Sequence, residues 1–268
     1  MPSFGAQPTS TALHEGIYSR SEGRDAHIYA SKTLETFLGG LWIAEGITNA
    51  NLYAMMEIFC SFSDTFELQL YGGLLIKKDN SQLQPGIYFV VTDGSVSVTN
   101  EVPLLRTMPP KPTKPTKPFR DAVRQRDLGC VLTGTPARYG WTAFHATDVF
   151  PLGYEGYWND YFSGLITVPP AAESGGTINS PKNGILLVAE AHEFFATYDV
   201  SINPDDNYKI VCFSPATIVF NLAGRHLDKK FLDDPLRPPD QLLRWHFRQA
   251  VLTNMKGVGE PFFDEYYQ

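Results

Sequence analysis

The residues of this sequence that could do chemistry fall in two short stretches. The first, GWTAFHATDVFPLGYEGYW over residues 140–158, contains His145 and Asp148. The second, INSPKNGILLVAEAHEFFATYDVSINP, contains Asn183 and, nine residues later, His192. Imidazole and carboxylate groups can transfer protons or bind metal ions, so these side chains are candidates for acid–base or metal-assisted catalysis.

The elements that would position these groups follow from the local pattern. TAFHATDVFPL predicts a strand broken by Pro151, and the apolar spacing of NGILLVAEAHEFFATYD predicts a helix from about Leu187 to Ala196. Strand side chains alternate between faces, so His145 and Asp148, three residues apart, should point to opposite faces. We expect that only a bulge would bring His145 to the place of Asp148.

The chain divides at a proline-rich segment. Residues 1–22 are expected to be flexible, and residues 23–107 read as a β-rich domain, in which NANLYAMMEIFCSF could be a helix or a strand. Residues 108–118, MPPKPTKPTKP, predict an extended linker because proline lacks a backbone N–H. Residues 119–268 form the second part, and the two parts could share one core. The fold class is therefore predicted to be α+β.

The chain closes with a strong predicted helix. Asp240 is its expected N-cap and Gly257 its stop. Its apolar stripe comprises Leu243, Phe247, Ala250 and Val251. Such a stripe could pack in the core or form a homodimer.

Composition limits the partners. The net charge is −7 at pH 7, and residues 119–268 carry 13 Lys and Arg against 18 Asp and Glu. Nucleic acid is therefore a possible partner that the acidic balance disfavours, although a local basic patch could still bind it. The candidates for that patch are Arg124, Arg126, Lys182, Arg244 and Arg248.

The same composition bears on location. The three cysteines, Cys60, Cys130 and Cys212, form no CxxC pair. Together with the absence of a signal-like apolar segment or a membrane span, they predict a cytoplasmic, soluble protein.

Several motifs resemble a known family in order and spacing. FRDAVRQRDLGCVLTG, FPLGYEGYW, INSPKNGILLVAEAHEFFATYDVSINPDDNYKIV and LLRWHFRQAVLTNM are similar to the HNH-nuclease-domain proteins common in filamentous fungi. The resemblance implies a ββα-metal core. In such a core a hairpin strand carries a general base, an asparagine braces the hairpin loop, and the closing helix offers a metal-binding histidine.

Two of the three implied positions match. Asn183 and His192 stand where the family has its asparagine and helix histidine, whereas Asp148 stands where the family typically has the base histidine. A carboxylate is a weaker base toward water than an imidazole, but a good ligand for hard metal ions. If a metal is retained, Asp148 and His192 would be its two protein ligands, with Mg or Zn as the ion.

The favoured hypothesis is a repurposed scaffold without a cofactor. Asp148, His192 and Asn183 would form the site of a cyclase, isomerase or dehydratase that acts on an apolar small molecule, with fungal secondary metabolism as the candidate setting. The residues expected to line its pocket are His145, Tyr154, Trp158, Glu193, Phe195 and Tyr198. The alternatives are a metal-dependent HNH endonuclease with a weakened motif and a non-catalytic module that binds nucleic acid or protein.

Overall fold

The chain is a mixed α+β protein, as the sequence predicts. The computed structural model describes residues 19–106, 115–162, 164–166 and 177–260. Within these ranges no helix is both long and apolar enough to cross a membrane. Most of the flexible N-terminus expected over residues 1–22 lies outside the described residues, as do residues 107–114 of the proline-rich region. Residues 19–22, however, form a turn in which Arg20 is paired with Asp199.

The first part of the chain is built on a five-stranded sheet. In spatial order its strands are β2 (Phe37–Leu41), β1 (Ala26–Tyr29), β6 (Gly86–Val91), β4 (Glu67–Leu70) and β5 (Leu75–Ile76). β1 and β6 are parallel, and the other neighbours are antiparallel. A separate pair joins β3 (Cys60–Phe62) to β7 (Val96–Val98).

The segment whose pattern was ambiguous forms both kinds of element. Helix α1 runs over Asn49–Phe59, and β3 begins at Cys60. Thr48 starts the helix with a capping box, in which its hydroxyl accepts from the amide of Asn51 and the Asn51 side chain accepts from the amide of Thr48.

The second part contains a hairpin followed directly by a helix. β8 (Phe144–Asp148) pairs antiparallel with β9 (Gly184–Val188), and α4 (Ala189–Ala196) follows β9 at once. The remaining elements are α2 (Lys117–Asp127), α3 (Glu155–Tyr161), the hairpin strands β10 (Val200–Asn203) and β11 (Lys209–Cys212), α5 (Lys229–Leu232) and α6 (Asp240–Met255). The expected linker therefore ends inside α2, because Thr116 caps that helix and Pro118 is tolerated in its first turn.

Helix α6 joins the two parts. It packs on β10 of the second part and on α1 and β2 of the first. The stripe predicted for it is buried by the same chain, and buried residues from both parts form one hydrophobic cluster. A Cβ at Gly39 of β2 would lie 2.1 Å from the carbonyl oxygen of Met255, so only glycine permits this close approach at the helix end.

Candidate active site

Two imidazoles meet where the β8–β9 hairpin packs on α4. The rings of His145 and His192 are parallel within 5°, with centroids 4.8 Å apart. His145 is exposed on β8, and α4 covers the face of the hairpin on which His145 and Thr147 lie. The regular register keeps His145 and Asp148 on opposite faces of β8, as the alternation predicts, and no bulge brings His145 to the place of Asp148. The strand pairs in regular register from Phe144 to Asp148, and the helix packs on the face of His145.

The surroundings of His192 keep its ring neutral. The side chain is 27% exposed, and its Nδ1 lies 2.8 Å from the hydroxyl of Thr147. The pKa of His192 is lowered to about 4, chiefly by burial, with His145 and Arg106 adding to the decrease and Asp148 offsetting part of it. A ring with this pKa is uncharged at neutral pH and can offer a nitrogen lone pair.

The second ring nitrogen of His192, Nε2, lies near an exposed carboxylate. Nε2 lies 3.9 Å from the carboxylate of Glu193, whose side chain is exposed. The hydroxyl of Thr147 can donate to the carbonyl of His145 at 3.5 Å, which leaves its oxygen free to accept from Nδ1–H of His192. In that tautomer Nε2 carries the free lone pair.

Asp148 has a different environment from the one expected for a base. Its Oδ2 accepts a hydrogen bond from the amide of Leu152 at 2.9 Å and lies 3.5 Å from Nη1 of Arg106. The side chain is 18% exposed. Its carboxylate therefore holds the turn after β8 and compensates an arginine, and His145 occupies the place beside His192.

Asn183 braces the start of β9 against the end of β8. Its side chain is fully buried, and its Oδ1 accepts from the amide of Phe150 at 2.8 Å. Its Nδ2 donates to the carbonyls of Phe150 and Ile178 at 2.9 and 3.0 Å. All of these contacts are to backbone groups, so the structure gives Asn183 a positioning role and no contact with the imidazoles.

The six residues expected to line an apolar pocket do not lie on one surface. His145 and Glu193 are exposed, while Trp158, Phe195 and Tyr198 are core side chains. The polar atoms of the larger rings already have partners: Trp158 donates to Thr177, and the hydroxyls of Tyr154 and Tyr198 donate to the carbonyls of Leu105 and Leu104. Aromatic density near a site motif also serves ordinary core packing, and these buried rings therefore give the expected pocket no support.

Two residues at the site were not singled out from the sequence. Thr147 alternates with His145 on β8, so strand periodicity could have placed it beside His192. Arg106 lies 42 residues before Asp148, and no local pattern links it to the motif.

The donors at the site do not make a complete metal centre. Imidazole nitrogen suits Zn²⁺ and similar ions, and His145, His192 and Glu193 are close together. Among the residues that the structure describes, however, no group of three or more His, Cys, Asp or Glu side chains is arranged to hold an ion. An ion here would need ligands from substrate or water.

Comparison with known families agrees with the geometry of the hairpin and helix. Residues 130–203 match the family model described as HNH endonuclease. This range contains β8, β9 and α4, together with His145, Asp148, Asn183 and His192. Residues 23–97 match a domain of unknown function (DUF8573). No curated protein and no solved structure matches the chain.

The resemblance to HNH nucleases is thus confirmed for residues 130–203, which contain an HNH-endonuclease-like domain. Neither match bears on a fungal source or on secondary metabolism.

Proposed function

We propose that the HNH-like part of the chain hydrolyses phosphodiester bonds in nucleic acid, and that His145 and His192 are its reacting side chains. The observation that supports this is the stacked imidazole pair on the hairpin and helix of an HNH-like unit. Asp148, the residue first expected to be the base, is engaged by Leu152 and Arg106 instead.

In this proposal His145 is the general base. Its exposed ring accepts a proton from a water molecule, whose oxygen then forms the new bond to phosphorus while the bond to the leaving oxygen breaks. The leaving oxygen takes a proton from solvent, and His145 returns its own to solvent. His192, neutral because it is buried, would offer the lone pair of Nε2 as a ligand to a divalent ion, whose other ligands would come from substrate and water.

Few basic side chains should be free to contact the phosphates of a nucleic-acid substrate. Of the five basic residues considered as a patch, Arg126 pairs with Asp127, Arg244 with Asp205 and Arg248 with Glu101. The guanidinium of Arg124 lies over the ring of Trp141. Most of this charge is compensated within the chain, so we expect few phosphate contacts and a shallow dependence of binding on salt.

The hypothesis of a cyclase, isomerase or dehydratase has less support. It needs a free Asp148 carboxylate and an apolar pocket, but that carboxylate has an arginine partner and the expected aromatic lining lies in the core. A non-catalytic module remains the alternative that a failed cleavage assay would favour.

Cleavage by the purified full-length chain tests the proposal. Supercoiled plasmid, single-stranded DNA and RNA would be incubated with Mg²⁺, Mn²⁺, Zn²⁺ or EDTA. We expect cleavage of at least one substrate by the wild type, its loss in His145→Ala and in His192→Ala, and its retention in His226→Ala, an exposed histidine on another surface. Absence of cleavage under every condition, or unchanged cleavage in both site variants, would overturn the proposal.

A further inference from the structure

A short segment at the end of the first part of the chain is hydrogen-bonded to the second part beside the candidate site. The segment Leu104–Arg106, which we call the strap, lies outside both family matches. The carbonyl of Leu104 accepts from the hydroxyl of Tyr198 at 2.8 Å, and its amide donates to Gln249 at 2.8 Å. The carbonyl of Leu105 accepts from the hydroxyl of Tyr154 at 2.9 Å. Each residue of the strap therefore bonds to the second part of the chain.

We propose that Arg106 is a positioning residue that sets the distance between His145 and His192. The inference rests on the proposed function. The side chain of Arg106 touches both elements that carry the imidazoles.

The contacts of Arg106 on the strand lie just beyond His145. Its Nη1 lies 3.5 Å from Asp148, the last residue of β8, and its Nη2 donates to the carbonyl of Val149. Because β8 is regular, contacts at its end help to hold the backbone position of His145, three residues earlier.

The contacts of Arg106 on the helix lie just beyond His192. Its guanidinium carbon is 5.8 Å from the ring centroid of Phe195 and 5.8 Å from that of Tyr198. Phe195 follows His192 by three residues on α4, so the two side chains lie on neighbouring positions of one helix face. Arg106 thus spans the gap between the strand and the helix at equal offsets from the two imidazoles.

The energetics favour a role in placement over a role in stability. The side chain of Arg106 is only 9% exposed, and its Nε is buried without a hydrogen-bond partner. An unpaired buried donor costs free energy, and a buried ion pair contributes little net stability. A planar guanidinium does, however, hold fixed directions to a carboxylate, a carbonyl and two rings at once.

The test uses full-length Arg106→Met and Arg106→Lys, with Arg248→Met as the matched control. The Arg248–Glu101 ion pair also joins the two parts of the chain but touches neither imidazole element. Ring nitrogen NMR would follow the titration of His192 and its proximity to His145, and cleavage kinetics would give kcat and KM.

We expect Arg106→Met to fold, to lose the ring contact, and to raise the pKa of His192, since a neighbouring positive charge is removed and Asp148 is freed. Its kcat should fall at least about tenfold with little change in KM, because misplaced reacting groups slow the chemical step. Arg106→Lys should recover part of the loss, and Arg248→Met should match the wild type.

The two proposals fail separately. If the wild type cleaves nothing but Arg106→Met still shifts the His192 titration and separates the rings, the cleavage proposal fails and the positioning role stands. If Arg106→Met leaves the His192 titration, the ring contact and kcat as in the wild type, the positioning role is wrong. Should Arg106→Met not fold, the same result in Arg106→Lys would overturn the role.

Discussion

The rings of His145 and His192 lie face to face, 4.8 Å apart, on the first strand and the closing helix of one ββα unit. Strand periodicity places Asp148, three residues after His145, in a different environment, where its carboxylate meets Arg106 and the amide of Leu152. The imidazole that the motif lacks at position 148 is thus present three residues earlier on the same strand. The proposal of hydrolysis by a histidine pair rests on this relationship.

The hydroxyl of Thr147 should orient His192. Thr147 is 1% exposed and lies 2.8 Å from Nδ1 of His192, whereas Thr253 is fully buried with no partner for its hydroxyl. We expect Thr147→Val to destabilise the fold by about 1–3 kcal/mol and to shift the His192 tautomer, because Nδ1 of His192 loses its hydrogen-bond partner. Thr253→Val should be neutral or stabilising, since it removes an unsatisfied buried hydroxyl. Urea unfolding and ring nitrogen shifts would measure both, and equal destabilisation of the two variants would contradict the assignment.

The stability of the chain should fall in mild acid. His192 titrates at about 4 in the folded chain, and burial keeps the pKa of His246 well below its ordinary value, so the unfolded chain binds more protons than the folded one. Both histidines contribute to the free energy of unfolding above about pH 6.5, the ordinary pKa of histidine. That contribution is lost as the pH falls toward their pKa values in the folded chain. Urea unfolding between pH 4 and 7 should show a smaller pH dependence for His192→Gln than for the wild type, with His226→Gln as control. Identical slopes for the wild type and His192→Gln would show that His192 is not held neutral by the fold.

The brace made by Asn183 should matter for stability more than for chemistry. Asn183→Ala removes three buried hydrogen bonds made just before β9, two to Phe150 after β8 and one to Ile178, and we expect a loss of about 2–4 kcal/mol. Thermal or urea unfolding measures this loss, and Asn100→Ala, at an exposed position, should cost little. A small loss in Asn183→Ala would mean that the hairpin connection does not depend on the brace.

The turn at residues 19–22 should contribute to joining the two parts of the chain. Arg20 and Asp199 form an ion pair of 2.8 Å, with side chains 5% and 6% exposed. Asp199→Asn should destabilise the fold by about 3–5 kcal/mol, because a buried guanidinium loses its charge partner. The exposed pair Lys78–Glu57 offers the contrast, and Glu57→Gln should cost less than about 1 kcal/mol. Similar unfolding midpoints for the two variants would show that the Arg20–Asp199 ion pair does not stabilise the contact between the turn and the second part of the chain.

Local patterns predict much of this fold. The helix α6 with its buried stripe and the strand–helix sequence around the motif both follow from periodicity within short windows. The helix α1 and strand β3 were ambiguous because one apolar run serves both, and only tertiary packing separates them at Cys60.

The site was predicted less well, for a physical reason. The spacing of Asn183 and His192 is a local feature, and it identified the hairpin and helix. Which strand face α4 covers is a tertiary feature, so the pairing of His145 with His192 was missed. The partner of Asp148 is an arginine in another part of the chain, so nothing near Asp148 in the sequence indicates that its carboxylate is engaged.

The most direct test compares the turnover of His145→Ala with that of Asp148→Asn under the conditions that give best wild-type cleavage. Asparagine keeps an oxygen for the amide of Leu152 and for Arg106, so Asp148→Asn should lose less than about tenfold in kcat. Loss of a general base costs about a hundredfold or more, and we expect that loss in His145→Ala. A hundredfold loss in Asp148→Asn together with near wild-type turnover in His145→Ala would contradict the role of His145 and return the carboxylate to the place of the base.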